Sequence, residues 1–287
     1  MDIVLSTPTV AEVGDCLDHL GQWQQNNVPQ LHPGDIGWFW RFGAEKAAEA
    51  IRIWRKRGET VAIGLLDGSD LLRLTIKPSA LQDQQLAEQL LIDVRTPNRG
   101  VLPAGTVNIE APMESLFQQL LNNDGWTEGE SWTPLVRDLA KPVESPRARI
   151  KVANEGNIED RISVQREAFQ SSSFTEEKWR SMANGVAYSN ACCLVAYNDQ
   201  GTAVATATVW SAGEGKPGLL EPMGVHQGYR GQGFGKAICI AAAAHLQSLG
   251  CSSVMVATPS SNVGAVATYK SAGFEALRTT SDRCRRA

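Results

Sequence analysis

Three short sequence pairs recur at one spacing along the chain. Leu71-Leu72-Arg73 aligns with Leu219-Leu220-Glu221, Gly125-Trp126 with Gly273-Phe274, and Ile3-Val4-Leu5 with Lys151-Val152-Ala153. The offset is 148 residues each time (221 − 73, 273 − 125 and 151 − 3). A single offset held over that distance predicts a duplicated domain, so the fold must be one that half of the chain can build twice. The halves, residues 1–140 and 149–287, meet at Lys141-Pro142-Val143-Glu144-Ser145-Pro146, a polar segment whose two prolines suit a linker.

At 287 residues, each half is long enough to bury its own core. A composition of 43 % hydrophobic and 20 % charged residues excludes wholesale disorder. The net charge of −4 supplies no basic field for nucleic acid or anionic lipid, so a small-molecule partner is expected. Cys16, Cys192, Cys193, Cys239, Cys251 and Cys284 fall in no metal-ligand spacing or disulfide framework, so no metal is expected. The opening MDIVLSTPTVAEVGD lacks a basic leader before an apolar run, and the apolar stretch Ala237 to Leu249 is too short to span a bilayer. The expectation is a cytoplasmic protein, monomeric or homodimeric.

Periodicity in the second half predicts alternating strands and helices. Ile150 to Ala153, Cys192 to Tyr197, Thr202 to Trp210, Leu219 to Val225 and Ser253 to Ala257 read as strands; Asn198-Asp199-Gln200-Gly201 supplies a hairpin turn. Helices are expected over Glu159 to Phe169, from the cap Thr175 onward, from Gly233 to Leu249, and over Val263 to Ser271. The pattern implies an α/β layered fold.

The sharpest local feature is Arg230-Gly231-Gln232-Gly233-Phe234-Gly235-Lys236, set between a strand and a helix. Alternating glycines let successive N–H groups converge, and the helix that follows adds its open amides and positive dipole end. Such a bend suits a diphosphate, with Arg230 and Lys236 as counter-charges. A tight turn relieving backbone crowding is the plainer alternative. The spacing fits neither the dinucleotide fingerprint nor a P-loop.

The segment Gly224-Val225-His226-Gln227-Gly228-Tyr229-Arg230-Gly231-Gln232-Gly233-Phe234-Gly235 resembles the acyl-CoA signature of the GNAT superfamily of N-acetyltransferases. Downstream, Asn262-Val263-Gly264-Ala265-Val266-Ala267-Thr268-Tyr269-Lys270-Ser271-Ala272-Gly273-Phe274 is similar to the family's second signature. The resemblance covers residues 150 to 287, and the tandem arrangement is similar to that of mycothiol synthase and other two-domain members. It implies two tandem GNAT-like domains, each a mixed, mostly antiparallel twisted sheet flanked by helices. In the second, acetyl-CoA would enter a split in the sheet. The main chain of Met223, Gly224 and Val225 would pair with pantetheine, the amides of Gly231, Gln232, Gly233, Phe234, Gly235 and Lys236 would hold the diphosphate, and Asn262 would touch the pantetheine or adenosine side.

Acetyl transfer to an amine requires a neutral nucleophile and a proton for the departing thiolate. Glu221 is the candidate base, four residues before Val225 and, by strand alternation, on the same face. A solvent-facing glutamate paired with Lys216 is the alternative. Tyr269 occupies the position that the family motif gives to the general acid; a core tyrosine is the alternative. A backbone N–H near Val225 would meet the oxyanion. His226, His245 and the Cys192-Cys193 pair are expected to be loop, surface and packing residues, and Arg283, Arg285 and Arg286 a solvated basic tail.

At the same offset, Gly231, Gly233 and Gly235 correspond to Asp83, Gln85 and Ala87, and Tyr269 to Leu121. The first half therefore lacks both loop and acid, and is expected to be a scaffold without productive CoA binding. Its segment Gly37-Trp38-Phe39-Trp40-Arg41-Phe42 would line an acceptor pocket or bury itself in the domain interface. The expected activity is transfer of acetyl to the primary amine of a small molecule. A protein or peptide acetyltransferase and a non-catalytic acyl-CoA sensor are the alternatives.

Overall fold

A computed structural model of the chain describes residues 3–286. The first half runs β1 (Ile3–Ser6), α1 (Val13–Trp23), α2 (Pro33–Phe39), α3 (Ala44–Ala50), β2 (Ile51–Lys56), β3 (Glu59–Leu66), β4 (Leu71–Ile76), α4 (Gln84–Arg95), β5 (Val107–Glu110), α5 (Leu116–Asn123) and β6 (Thr127–Asp138). The second half runs β7 (Arg149–Val152), α6 (Ile158–Ala168), α7 (Glu176–Ala183), β8 (Ala191–Tyr197), β9 (Ala203–Ser211) and β10 (Pro217–Val225). It continues through α8 (Phe234–Ser248), β11 (Ser253–Pro259), α9 (Val263–Ser271), β12 (Glu275–Ala276) and β13 (Thr280–Arg285). The α/β alternation expected of the second half is present, and α9 begins and ends where the sequence placed it.

The strands join one sheet in the order β1-β2-β3-β4-β5-β13-β6-β11-β10-β9-β8-β7, with β12 beside β6. The pairings are antiparallel except β4 with β5 and β10 with β11. Both parallel pairs are brief. Leu71–Arg73 faces Asn108–Glu110, Pro217–Leu219 faces Ser253–Met255, and beyond those residues the strands part. The repeat is also visible in single bonds. Gly125 and Gly273 take φ of 85° and 82°, and the amides that follow, of Trp126 and Phe274, donate to Leu121 and Tyr269 carbonyls at 3.1 Å in both halves. The left-handed conformation is easy only for glycine, which fits the residue found at both positions.

The strand order also shows that each half lends its last strand to the other. β6 lies on β11 over seven pairs, from Ser253 with Asp138 to Pro259 with Trp132, while β13 lies on β5 through Arg283, Cys284 and Arg285. Leu135 of β6 is buried in the second half's core beside α8. Of the basic run at the chain end only Arg286 is exposed: Arg285 donates to the Pro103 and Val94 carbonyls and lies over the Trp126 ring, and Arg283 donates to Gln118. Deleting residues 278–287 strips β5 and β6 of the strand between them. At about 1 kcal/mol per hydrogen bond lost, the deletion is expected to remove several kcal/mol of a typical 5–15 kcal/mol. A thermal midpoint within a degree or two of the full chain would contradict the exchange.

The aromatic segment after His32 forms the wedge between the halves. Gly37 rests against the Trp210 ring, Trp38 stacks on Phe174 at 5.3 Å, and Trp40 packs on Gly185 with its carbonyl accepting from Ser181. His32 meets the Pro217 carbonyl at 3.2 Å, and Lys216 donates to the Gln22 carbonyl at 2.8 Å. The segment thus lies at the interface between the halves, with Phe42 left 38 % exposed. Among the described residues, no helix is long and apolar enough to cross a membrane.

Candidate active site

Where β10 leaves β11, one strand edge is open. Met223, Gly224 and Val225 pair with Ala207, Thr206 and Ala205 of β9 on one side and with no strand on the other. That free edge lines a cleft of about 600 Å³. The wall opposite comes from the α8 entry loop and from α9: Arg230, Gly231, Gly233, Gly235 and Lys236 on one, Asn262, Ala265, Thr268 and Ser271 on the other. Ala168 and Phe169, at the end of α6, close the floor.

The glycine loop faces this cleft. Gly231 and Gly233 have φ of 76° and 88°, Gly233 caps α8, and both are exposed with nothing within 4 Å of where a Cβ would lie. Positive φ at both turns the chain sharply enough to aim the entering amides outward. Ala237 is the first amide of α8 to find a partner, the Gly233 carbonyl at 3.0 Å. The amides ahead of it are open, as at a helix N-terminus, and anion-attracting. Gly235 serves packing instead, since a Cβ there would lie 2.7 Å from Thr268 where α8 meets α9.

Other candidates have more divided duties. Arg230 donates to the Ala168 carbonyl at 2.9 Å, tying the loop to α6. Asn262 caps α9, its side-chain oxygen accepting from Ala265 at 3.2 Å. Gln232 turns from the cleft to a neighbouring hollow of about 540 Å³ that it shares with Arg147 and Lys236. Phe234 packs against the core and meets Tyr229 edge-on. His226 caps a short turn, accepting from Gly228 at 3.1 Å.

The first half shows what a closed version of the loop looks like. Its corresponding helix, α4, is capped by Asp83, which accepts from Leu86 and pairs with Lys56. Cap matches cap at a spacing of 150 rather than 148, so the residue standing opposite Gly233 is Asp83 and not Gln85. A carboxylate already occupies the α4 terminus.

Tyr269 is buried in the core of the second half, tilted against Phe274 at 5.7 Å, and is not part of the cleft wall. Burial, with Cys239 and Glu221 nearby, pushes its phenol well above the usual tyrosine range, so it carries its proton at any working pH.

Glu221 faces a different way from the one strand alternation implies. The β9–β10 register slips by one residue between Leu220 and Met223, and a one-residue slip reverses the faces. Met223 and Val225 thereby join Leu220 against the α8 core, and the face shared by Glu221 and Val225 is lost. Nor does Glu221 pair with Lys216, which is committed to Gln22 and Gln24. The Glu221 carboxyl instead meets that of Asp35, with Arg73 and Asp67 close by. Burial and then the Asp35 and Asp67 charges, opposed by Arg73, push Glu221 up to about 8. Asp35, Asp67 and Arg73 all belong to the first half. Only the Arg73–Glu221 correspondence at the repeat offset hinted at them.

No curated protein matches the sequence. Solved structures similar to the whole chain include a GCN5-related N-acetyltransferase from Sphaerobacter thermophilus (17 % identity, 99 % of this chain and 95 % of that one, TM-score 0.61). A GNAT-family acetyltransferase from Colwellia psychrerythraea is similar at 17 % identity over the full length of both chains, TM-score 0.63. A tandem GNAT protein from the clavulanic acid biosynthesis pathway is similar at 13 % identity, 99 % of this chain and 98 % of that one, TM-score 0.59. At such identities the likeness is one of fold, and it extends across both halves. Residues 157–274, which hold the cleft, the loop and Tyr269, match the acetyltransferase (GNAT) family. The second half is therefore where the chain is similar to the GNAT acetyltransferases, and the cleft and its glycine loop lie within that match.

Proposed function

We propose that the protein transfers the acetyl group of acetyl-CoA to the primary amine of a small molecule by direct attack, without an acyl-enzyme. The observation that carries this reading is the open β10 edge beside the exposed N-terminus of α8, both lining one cleft of about 600 Å³. Met223, Gly224 and Val225 would pair with the pantetheine arm as a neighbouring strand would. The amides of Gly231 to Lys236 would hold the diphosphate, with Arg230, Lys236 and Asn262 around it. Among the described residues each cysteine is buried, and those whose thiols are shifted are pushed upward, against use as a nucleophile.

Proton bookkeeping assigns the remaining roles. An ammonium sheds two protons on becoming an amide. Glu221, directly or through water, takes the first and frees the nitrogen lone pair to attack the thioester carbonyl. A backbone N–H near Val225 meets the negative oxygen. As the C–S bond breaks, Tyr269, which lies behind the cleft wall, gives its phenolic proton to the sulfur through an intervening water, and the second nitrogen proton restores the phenol. Cytoplasmic residence completes the reading.

Free-thiol release from acetyl-CoA across a panel of small amines and peptides tests the assignment. Turnover on small primary amines is expected; turnover on peptides alone, or binding without turnover on any amine, overturns it. Tyr269→Phe keeps the ring and removes the donor. It is expected to lower kcat about tenfold to a thousandfold with CoA affinity unchanged. Unaltered kcat would leave the tyrosine a packing residue.

A further inference from the structure

The charged groups around Glu221 come almost wholly from the other half of the chain. Asp35 of α2 has a side chain only 1 % exposed. Its Oδ2 accepts from the His32 amide at 2.6 Å, which fixes the carboxyl as part of the α2 cap. Its Oδ1 accepts from Arg73 Nη1 at 2.8 Å, and the same guanidinium reaches Glu110 through Nε at 2.7 Å and Asp67 at 3.7 Å. Arg73 is thus held on three sides. Gly34 and Gly37 of α2 pack on Trp210, whose indole donates to the Glu221 carbonyl at 2.7 Å, and this packing brings the Glu221 carboxyl beside that of Asp35, two acids from different halves. The other charged or titratable groups around them are the buried His32 imidazole at the α2 cap, Arg41 after α2, Tyr269 of α9, and Asp282 of β13 beyond Arg73 and Glu110.

We propose that the first half completes the catalytic site through Asp35 and Arg73, whose ion pair positions the Glu221 carboxyl for proton removal from the acceptor amine. The inference rests on Glu221 being the base. Asp35 and Arg73 are positioning residues and do not touch the reacting atoms. Two neighbouring carboxyls resist ionising together, since that would place like charges side by side. Arg73 binds Asp35, while burial and the Asp35 and Asp67 carboxyls beside it favour the protonated form of Glu221. That arrangement gives Glu221 the basicity of a group near neutral pH, as a base for an ammonium requires.

The signs are opposite for the two partners. Asp35→Asn keeps the shape and a hydrogen bond but removes a negative charge, so Glu221 ionises more easily. Arg73→Gln removes a positive charge, so it ionises less easily; Arg73→Lys restores the charge. The test is the pH profile of kcat/KM in the full-length chain, with a side-chain 13C titration of Glu221 in parallel for variants that turn over slowly. Wild-type activity is expected to rise toward a limb near pH 8. Asp35→Asn should move that limb down by about one pH unit or more, Arg73→Gln should move it up, and Arg73→Lys should leave it in place. Loss of stability alone cannot shift a titration in two directions. If Glu221→Gln abolishes the limb while Asp35→Asn and Arg73→Gln leave it unmoved, the positioning role is overturned and the base stands. If the limb survives in Glu221→Gln, the base assignment falls and the positioning role with it.

Discussion

Gly233→Asp is expected to weaken CoA binding by about a hundredfold while the protein stays folded. The substitution copies the first half, where Asp83 caps α4. Nothing lies within 4 Å of the added Cβ, so no clash is created. The left-handed φ of 88° costs a residue other than glycine about 1 kcal/mol. A carboxylate at a helix N-cap returns a similar amount, so the thermal midpoint should move by no more than a few degrees. Ligand binding has no such compensation. A carboxylate about 4 Å from a phosphate is repelled by about 4 kcal/mol at an effective dielectric of 20. Exposure of the loop and salt reduce that to about 2–3 kcal/mol, or roughly 30- to 150-fold in affinity. Calorimetric titration with CoA measures it, and raising the salt should narrow the gap between variant and wild type. Affinity within threefold of wild type at low salt would place the diphosphate elsewhere.

What the sequence disclosed, and what it hid, follows from the range of the interactions. The repeat was legible because Gly125 and Gly273 answer to their own φ, and because β4 and β10 must each be apolar where they enter the sheet. The glycine loop was legible for the same local reason. The exchange of β6 and β13 was not. A strand's alternation says which face is buried, not whose sheet it joins, so Arg283 and Arg285 looked solvated while their partners lay more than 150 residues away. The side on which Glu221 stands was hidden by one residue of register slip, which depends on how β9 and β10 hydrogen-bond and not on either alone. The repeat put Arg73 and Glu221 at equivalent positions. That equivalent positions come within electrostatic reach is a property of the axis relating the halves, and no pattern along a chain encodes it.

Glu221→Gln should produce the largest loss of turnover, about a hundredfold to ten-thousandfold in kcat/KM at neutral pH. The amide matches the carboxyl in shape and still stands beside Asp35, so the halves remain docked and CoA affinity should be unchanged. Proton removal alone is lost. At pH 7 a simple primary amine with a pKa near 10 is about one part in a thousand neutral, and without a base only that fraction reacts. The deficit should therefore shrink as pH rises. The variant's rate should climb about tenfold per pH unit until the acceptor's own pKa is passed, whereas the wild type levels off once Glu221, pushed up to about 8, is ionised. Repeating the profile with an acceptor of lower pKa should bring the variant's plateau down by the same interval. A carboxyl that served only to bind the ammonium would behave differently: its loss would appear mainly in KM, and the deficit would not track the acceptor's pKa. A deficit that is constant from pH 6 to 10 would remove Glu221 from the proton path and return it to the interface between the halves as a structural acid.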